Sequence, residues 1–135
     1  MLIGKTIVQV FKASDDLAIK LVTDQGEDLI IRVDGDCCAN SFFQHVDLPV
    51  SMPFTITSID TYTLDSISDS EWGDVTDRYG CKINTTTGVM DIECRTEHNG
   101  YYGGNIVFPS TDEDDYFYGG VFGQNISNND WVELD

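Results

Sequence analysis

Apolar and polar residues alternate with a period of two over most of the first third of the chain. Residues 6–11 set Ile7 and Val8 among polar neighbours, residues 17–23 place Leu17, Ile19 and Leu21 at every second position, and residues 28–33 carry Leu29, Ile30, Ile31 and Val33. A period of two marks strands with one buried face. Ser14-Asp15-Asp16 and Asp24-Gln25-Gly26-Glu27 lie between these runs. They supply turn chemistry, because short polar side chains bond their own backbone and glycine accepts positive φ. Three strands joined by short turns predict an antiparallel meander.

The pattern changes at Asp34-Gly35-Asp36-Cys37-Cys38, which reads as a loop. Asn40 or Ser41 has the chemistry of a helix N-cap, and Phe42, Phe43 and Val46 follow, so a short helix is expected there, closed by Pro49 and Pro53. Residues 54–62 predict a strand with Phe54, Ile56 and Ser58 on one face. Residues 63–79 have no regular period. Ile67, Trp72 and Val75 are scattered among Asp65, Asp69, Glu71, Asp74 and Asp77, which predicts a loop or a single short helix.

Residues 80–95 form the clearest local unit. Thr85-Thr86-Thr87-Gly88 reads as a hairpin turn. With Thr85 opposite Gly88, Cys81 and Ile83 share a face with Met90, Ile92 and Cys94, while Lys82, Asn84, Asp91, Glu93 and Arg95 face the other way. Cys81 and Cys94 then become diagonal neighbours in the core. Glu97-His98-Asn99-Gly100 predicts a turn, residues 101–108 a strand, and Trp131 and Val132 a final docked strand. The fold class expected is α+β, a predominantly antiparallel β-sheet with one short helix. Residues 1–108 make the β-rich core domain, and residues 109–135 an acidic, aromatic extension packed on it.

Composition narrows the class. A length of 135 residues is one domain's worth, and 41% hydrophobic with 11% aromatic residues suffices for a core, which excludes disorder throughout. No apolar run approaches the roughly 20 residues of a bilayer span. The chain holds 24 Asp+Glu against 7 Lys+Arg, a formal charge of 7 − 24 = −17. That field repels phosphate, so direct binding to nucleic acid or to an anionic membrane is not expected. The opening Met1-Leu2-Ile3-Gly4-Lys5 lacks the apolar core and cleavage site of a signal peptide, which predicts a cytoplasmic protein whose four cysteines stay thiols.

Two short motifs carry a resemblance. Gly35-Asp36-Cys37-Cys38 followed by aromatics and His45, and a late hairpin ending in Asn99-Gly100-Tyr101-Tyr102-Gly103-Gly104, make residues 3–108 similar to a small domain found in phages and bacteria. The resemblance implies a phage or prophage origin, hence a bacterial host, and a compact β-rich domain. It brings no catalytic residues with it. The acidic 63–79 region and the tail after Pro109 stand apart from these motifs.

Candidate chemistry follows from clusters. Cys37, Cys38 and His45, with Asp36 beside them, supply zinc-ligand types, and Cys81, Cys94 and His98 are further ligand types along the chain. Adjacent cysteines on an extended loop point apart, and the paired C-x₂-C spacing of structural zinc sites is missing, so the bland reading is buried thiols and a structural histidine. A cysteine nucleophile is opposed by the acidic surroundings, which raise a thiol's pKa. Asp34-Gly35-Asp36 and Asp112-Glu113-Asp114-Asp115 offer oxygens to calcium but miss the D-x-D-x-D-G-x₅-E pattern. Gly103-Gly104 and Gly119-Gly120 lack the spacing and lysine of a phosphate-binding loop. No cofactor and no catalytic set is expected.

The acidic clusters are left. Their bland reading is a solvated surface. The sharper reading is that carboxylates on a rigid surface imitate a row of phosphates and occupy the basic groove of a nucleic-acid-binding host protein, steered by charge. The expected function is therefore a non-enzymatic, phage-type inhibitor of a defence nuclease or CRISPR-type effector. The candidate partner-binding residues are Asp65, Asp69, Glu71, Asp74 and Asp77 together with Asp112, Glu113, Asp114 and Asp115, with Trp72, Tyr116 and Tyr118 as apolar anchors. The alternatives are a metal-binding or accessory domain centred on Cys37, Cys38 and His45, and a phage structural or assembly protein that uses its sheet edges.

Overall fold

The computed structural model describes residues 2–35, 40–49, 51–69, 74–98, 104–109 and 130–134. They form the strands β1 (Thr6–Ala13), β2 (Ala18–Thr23), β3 (Asp28–Gly35), β4 (Asn40–Asp47), β5 (Phe54–Asp69), β6 (Asp74–Thr85), β7 (Gly88–His98), β8 (Gly104–Val107) and β9 (Trp131–Leu134). All pair antiparallel in one sheet ordered β4-β7-β6-β5-β1-β2-β3-β8, with β9 beside β1. None of the described residues is helical, so the fold is all-β and the expected α+β class is corrected.

The meander β1-β2-β3 follows the alternation of its residues. Ile19, Leu21, Ile31 and Val33 are buried on one face, and Ile31 lies opposite Ile19 in the register. The 80–95 hairpin forms as its sequence predicts. Thr85 pairs with Gly88, Cys81 with Ile92 and Ile83 with Met90, and the side chains of Cys81, Ile83, Met90, Ile92 and Cys94 are fully buried. Its turn is held by threonines. The Thr85 hydroxyl donates to the Gly88 carbonyl at 2.6 Å, and Thr87 donates to the Ser51 carbonyl at 2.8 Å. Gly88 sits at φ +144°, where a Cβ is disfavoured.

The expected helix after Asn40 is instead β4, paired with β7 from Asn40–Glu97 to Asp47–Asp91. Its register shifts between Phe43 and His45, so Gln44 is an extra, bulged residue. The bulge returns Val46 to the same side as Phe43, which imitates helical spacing in a strand. Residues 63–69 and 74–79, expected as a loop or short helix, are the far ends of β5 and β6. A bulge near Thr57 also moves the buried face of β5 from Phe54 and Ile56 to Ile59, leaving Ser58 exposed.

The sheet turns over on itself at the short β1–β5 pairing, where Thr6 and Ile7 meet Thr55 and Phe54. One cluster is buried between its halves. Ile7, Val10, Leu21 and Ile31 come from one half, and Phe43, Phe54, Ile83 and Met90 from the other. The Phe43 amide donates to the Asp16 carbonyl at 2.8 Å and ties β4 to the β1–β2 turn. Strand β9 occupies the edge of β1 that β5 leaves, with Val10 opposite Leu134 and Ala13 opposite Trp131. The Lys20 ammonium lies 4.7 Å from the Phe11 ring centroid and 4.8 Å from that of Trp131, a cation–π bridge that pins β9 to the meander. No helix among the described residues is long and apolar enough to cross a membrane.

Candidate functional site

The far ends of β5 and β6 form an arm at the margin of the sheet, where β7 pairs along β6 as far as His98 opposite Val75 and β4 pairs along β7 as far as Asn40 opposite Glu97. From Thr63 to Ser68 every residue of β5 is exposed. The pairing of β5 with β6 continues from the hairpin to Thr63 opposite Tyr79 and Leu64 opposite Arg78, and it resumes after a bulge with Ile67 opposite Thr76 and Asp69 opposite Asp74. Asp65 sits on a bulge, exposed, and no ion pair reaches its carboxylate among the described residues. The Arg78 Nε donates to the Asp65 backbone carbonyl, not its carboxylate, at 2.8 Å. Asp69 and Asp74 are register partners in the last pair of the arm.

Asp77 differs from its expected companions. It lies on the core-facing side, where its Oδ1 accepts from Ser66 at 2.7 Å and its Oδ2 is 2.8 Å from His98 Nε2. The Asp77 side chain is 37% exposed and that of His98 only 7%. The carboxylate bridges the serine hydroxyl and the histidine ring, one oxygen to each. Beside it runs a buried hydroxyl chain, with Tyr79 Oη 2.7 Å from Thr96 Oγ1 and Thr96 Oγ1 2.8 Å from Ser41 Oγ. An open hollow of about 270 Å³ is lined by Thr61, Tyr62, Thr63, Tyr79 and Gly80 from β5 and β6 and by Ile106 and Phe108 from the β8 end, and Asp77 stands two residues from Tyr79 along β6, outside its lining.

These lining residues were not singled out from sequence, although a signal exists. The period-two face through Ile83 and Cys81 extends to Tyr79 and Asp77 once the strand is allowed to continue. The opposite face of β4, β6 and β7 carries mixed charge, with Lys82 opposite Asp91 and Arg95 bonded to Glu93 at 3.2 Å. Glu71, Trp72, Asp112, Glu113, Asp114, Asp115, Tyr116 and Tyr118 lie outside the described residues, as do Cys37 and Cys38. His45 is described. It is exposed on β4 and stands 2.8 Å from Asp47. Among the described residues no group of three or more His, Cys, Asp or Glu could hold a metal ion.

Cys81 and Cys94 are free core thiols. Burial, then the charge of Asp91, pushes Cys81 up from its ordinary 9.0 to about 12. Burial also raises Cys94. The Tyr62 hydroxyl is raised by burial and by its hydrogen bond to Asp91. Each group keeps its proton in the folded state at a pH where the unfolded chain releases it. Folding stability is therefore full below about pH 9 and falls as pH rises toward 12. Urea midpoints are expected to drop between pH 8 and pH 10.5, and to drop less in Cys81→Ala. An equal drop in both proteins would show that the thiol is not a source of the loss.

A family model described as a domain of unknown function matches residues 1–108. No curated protein and no solved structure matches the chain.

Proposed function

The chain belongs to that family, DUF7448, over residues 1–108, and from this premise we propose that it is a non-enzymatic binding protein whose acidic surface occupies the basic groove of a protein that normally binds nucleic acid. The observation that carries this reading is the arm. It holds the Asp65 carboxylate exposed, and no ion pair reaches that carboxylate among the described residues. An exposed carboxylate without a cation beside it in the fold is open to a cationic partner surface. The overall excess of 24 acids over 7 bases adds long-range steering toward such a partner. The resemblance of the Gly35-Asp36-Cys37-Cys38 and Asn99-Gly100-Tyr101-Tyr102 motifs to phage and bacterial domains supports the setting, an inhibitor of a host defence nuclease or CRISPR-type effector in the bacterial cytoplasm.

Charge reversal tests this directly. One variant carries Asp65→Lys, Asp69→Lys and Asp74→Lys. A second carries lysine at Asp112, Glu113, Asp114 and Asp115. Pull-down from bacterial lysate at low and high salt identifies the partner, and stopped-flow binding to it gives the rate. Association is expected to slow by about ten- to a thousandfold in a reversed variant, with the wild-type rate falling steeply as salt is added. Unchanged circular dichroism confirms that the variants fold. Salt-independent binding by wild type, with both variants equal to it, would sink the proposal.

A further inference from the structure

We propose that the hollow between the arm and the β8 end receives an arginine side chain of the basic partner, its methylene stem against Tyr79, Ile106 and Phe108 and its guanidinium at Asp77. This inference rests on the acidic binding function and names the contact at its centre.

Size limits the occupant. A volume of about 270 Å³ admits one large side chain. A helix is about 10–12 Å across with its side chains and does not enter such a space. The lining then selects among side chains. Ile106, Phe108 and Tyr79 are half-buried and pack against the core, so they present a fixed apolar wall. Thr61 and Thr63 are exposed, carry hydroxyls and line the hollow from β5. An occupant with an apolar stem and a polar head matches that division.

Charge selects the head. Asp77 lies two residues from Tyr79 on the same face of β6, about 7 Å along the strand. Ser66 and His98 hold its two oxygens in place, yet its side chain is 37% exposed. A carboxylate offers roughly four acceptor sites, so sites are left for an incoming donor. Guanidinium is weakly hydrated, carries five donors in a rigid fork and stacks on aromatic rings. It therefore suits a half-buried carboxylate beside Tyr79 better than the strongly hydrated ammonium of lysine. An acidic occupant is repelled by Asp77 and by the net charge of −17.

The test is an amide-resolved NMR titration of the full chain with a ten-residue peptide alternating arginine and glycine, and with the same peptide carrying citrulline for arginine. Citrulline keeps the shape and removes the charge. Saturating shifts are expected at Thr61, Thr63, Asp77, Tyr79 and Ile106 with the arginine peptide alone. Asp77→Asn removes a charge-assisted contact and is expected to weaken binding about tenfold. Thr63→Trp fills the hollow from an exposed position and is expected to weaken it at least as much. Asp65→Lys is expected to weaken binding through long-range charge while leaving the shifted residues the same. If Asp77→Asn and Thr63→Trp bind like wild type while Asp65→Lys binds more weakly, the hollow is not the contact and the acidic reading survives. If no variant weakens binding, both fail. Shifts spread evenly over Asp24, Asp47 and Asp60 also overturn the hollow.

Discussion

Gly80→Ala is expected to lower the unfolding free energy by about 3 kcal/mol, at the upper end of what overpacking a well-filled site costs. A Cβ added at Gly80 meets the Ile92 carbonyl oxygen and lies 2.6 Å from Tyr62 Oη and 2.7 Å from Tyr62 Cζ. The two obstacles differ in kind. The Tyr62 ring lies across Gly80, its register partner on β6, and fills the space a side chain leaves empty. Its one hydroxyl proton is shared between Asp91 Oδ1 at 2.9 Å and the Ile92 carbonyl at 3.2 Å, stitching β5 to β7 across β6. A ring can swing away at the loss of that shared bond, worth about 1 kcal/mol. The Ile92 carbonyl is backbone in the centre of the ladder and cannot. Tyr62→Ala in the Gly80→Ala background therefore relieves one clash and is expected not to restore stability. Urea unfolding followed by tryptophan fluorescence measures both. A loss below about 0.5 kcal/mol, the range of ordinary surface substitutions, would show that β6 and β7 separate there without strain.

Legibility in this sequence follows the bulges. Where pairing is regular, alternation suffices, as in the 80–95 hairpin, whose inward residues Cys81, Ile83, Met90, Ile92 and Cys94 are as predicted, and in the buried Ile19 and Leu21 of β2. Strands β1, β4 and β5 each carry a bulge, and past each one the buried face changes parity. Ile7 and Val10 are buried while Val8 is 38% exposed, a spacing of three inside a strand. Nothing in the side chains of Val8, Gln44 or Thr57 announces an extra residue, because a bulge is a property of the pair and not of one strand. The arm was illegible for another reason. Its strands bury little, so no apolar period marks them, and only continued pairing with β7 makes them strands. The pairing itself was within reach. Thr85 opposite Gly88 fixes an antiparallel register in which Asp77 meets Thr96 and Val75 meets His98. Following that register would have placed Asp77 beside His98 and withdrawn it from a uniformly solvated acidic row. The hollow depends on β8 arriving from the other half of the sheet, and no local pattern encodes that approach.

Strand β4 yields the second large effect, because helix and strand make opposite statements about neighbouring phenylalanines. On a helix, Phe42, Phe43 and Val46 form one stripe, and truncating either ring opens the core. On β4 the two rings face opposite sides. Phe43 is 1% exposed, opposite Cys94 and in the central cluster, whereas Phe42 is only half-buried opposite Arg95. Phe43→Ala is therefore expected to cost about 3–5 kcal/mol, the usual loss for a fully buried ring. Phe42→Ala is expected to cost about 1 kcal/mol, the centre of the range for point substitutions. Small domains have a total stability of about 5–15 kcal/mol, so the first change removes a third or more of it in a typical case. Should Phe43→Ala leave too little folded protein to measure, Phe43→Leu keeps most of the apolar volume and is expected to fall between the two. Denaturant midpoints of the three variants decide the matter. Equal losses at Phe42 and Phe43 would restore the helical stripe, and the difference is expected because Gln44 bulges and lets Val46 rejoin Phe43 on the buried side.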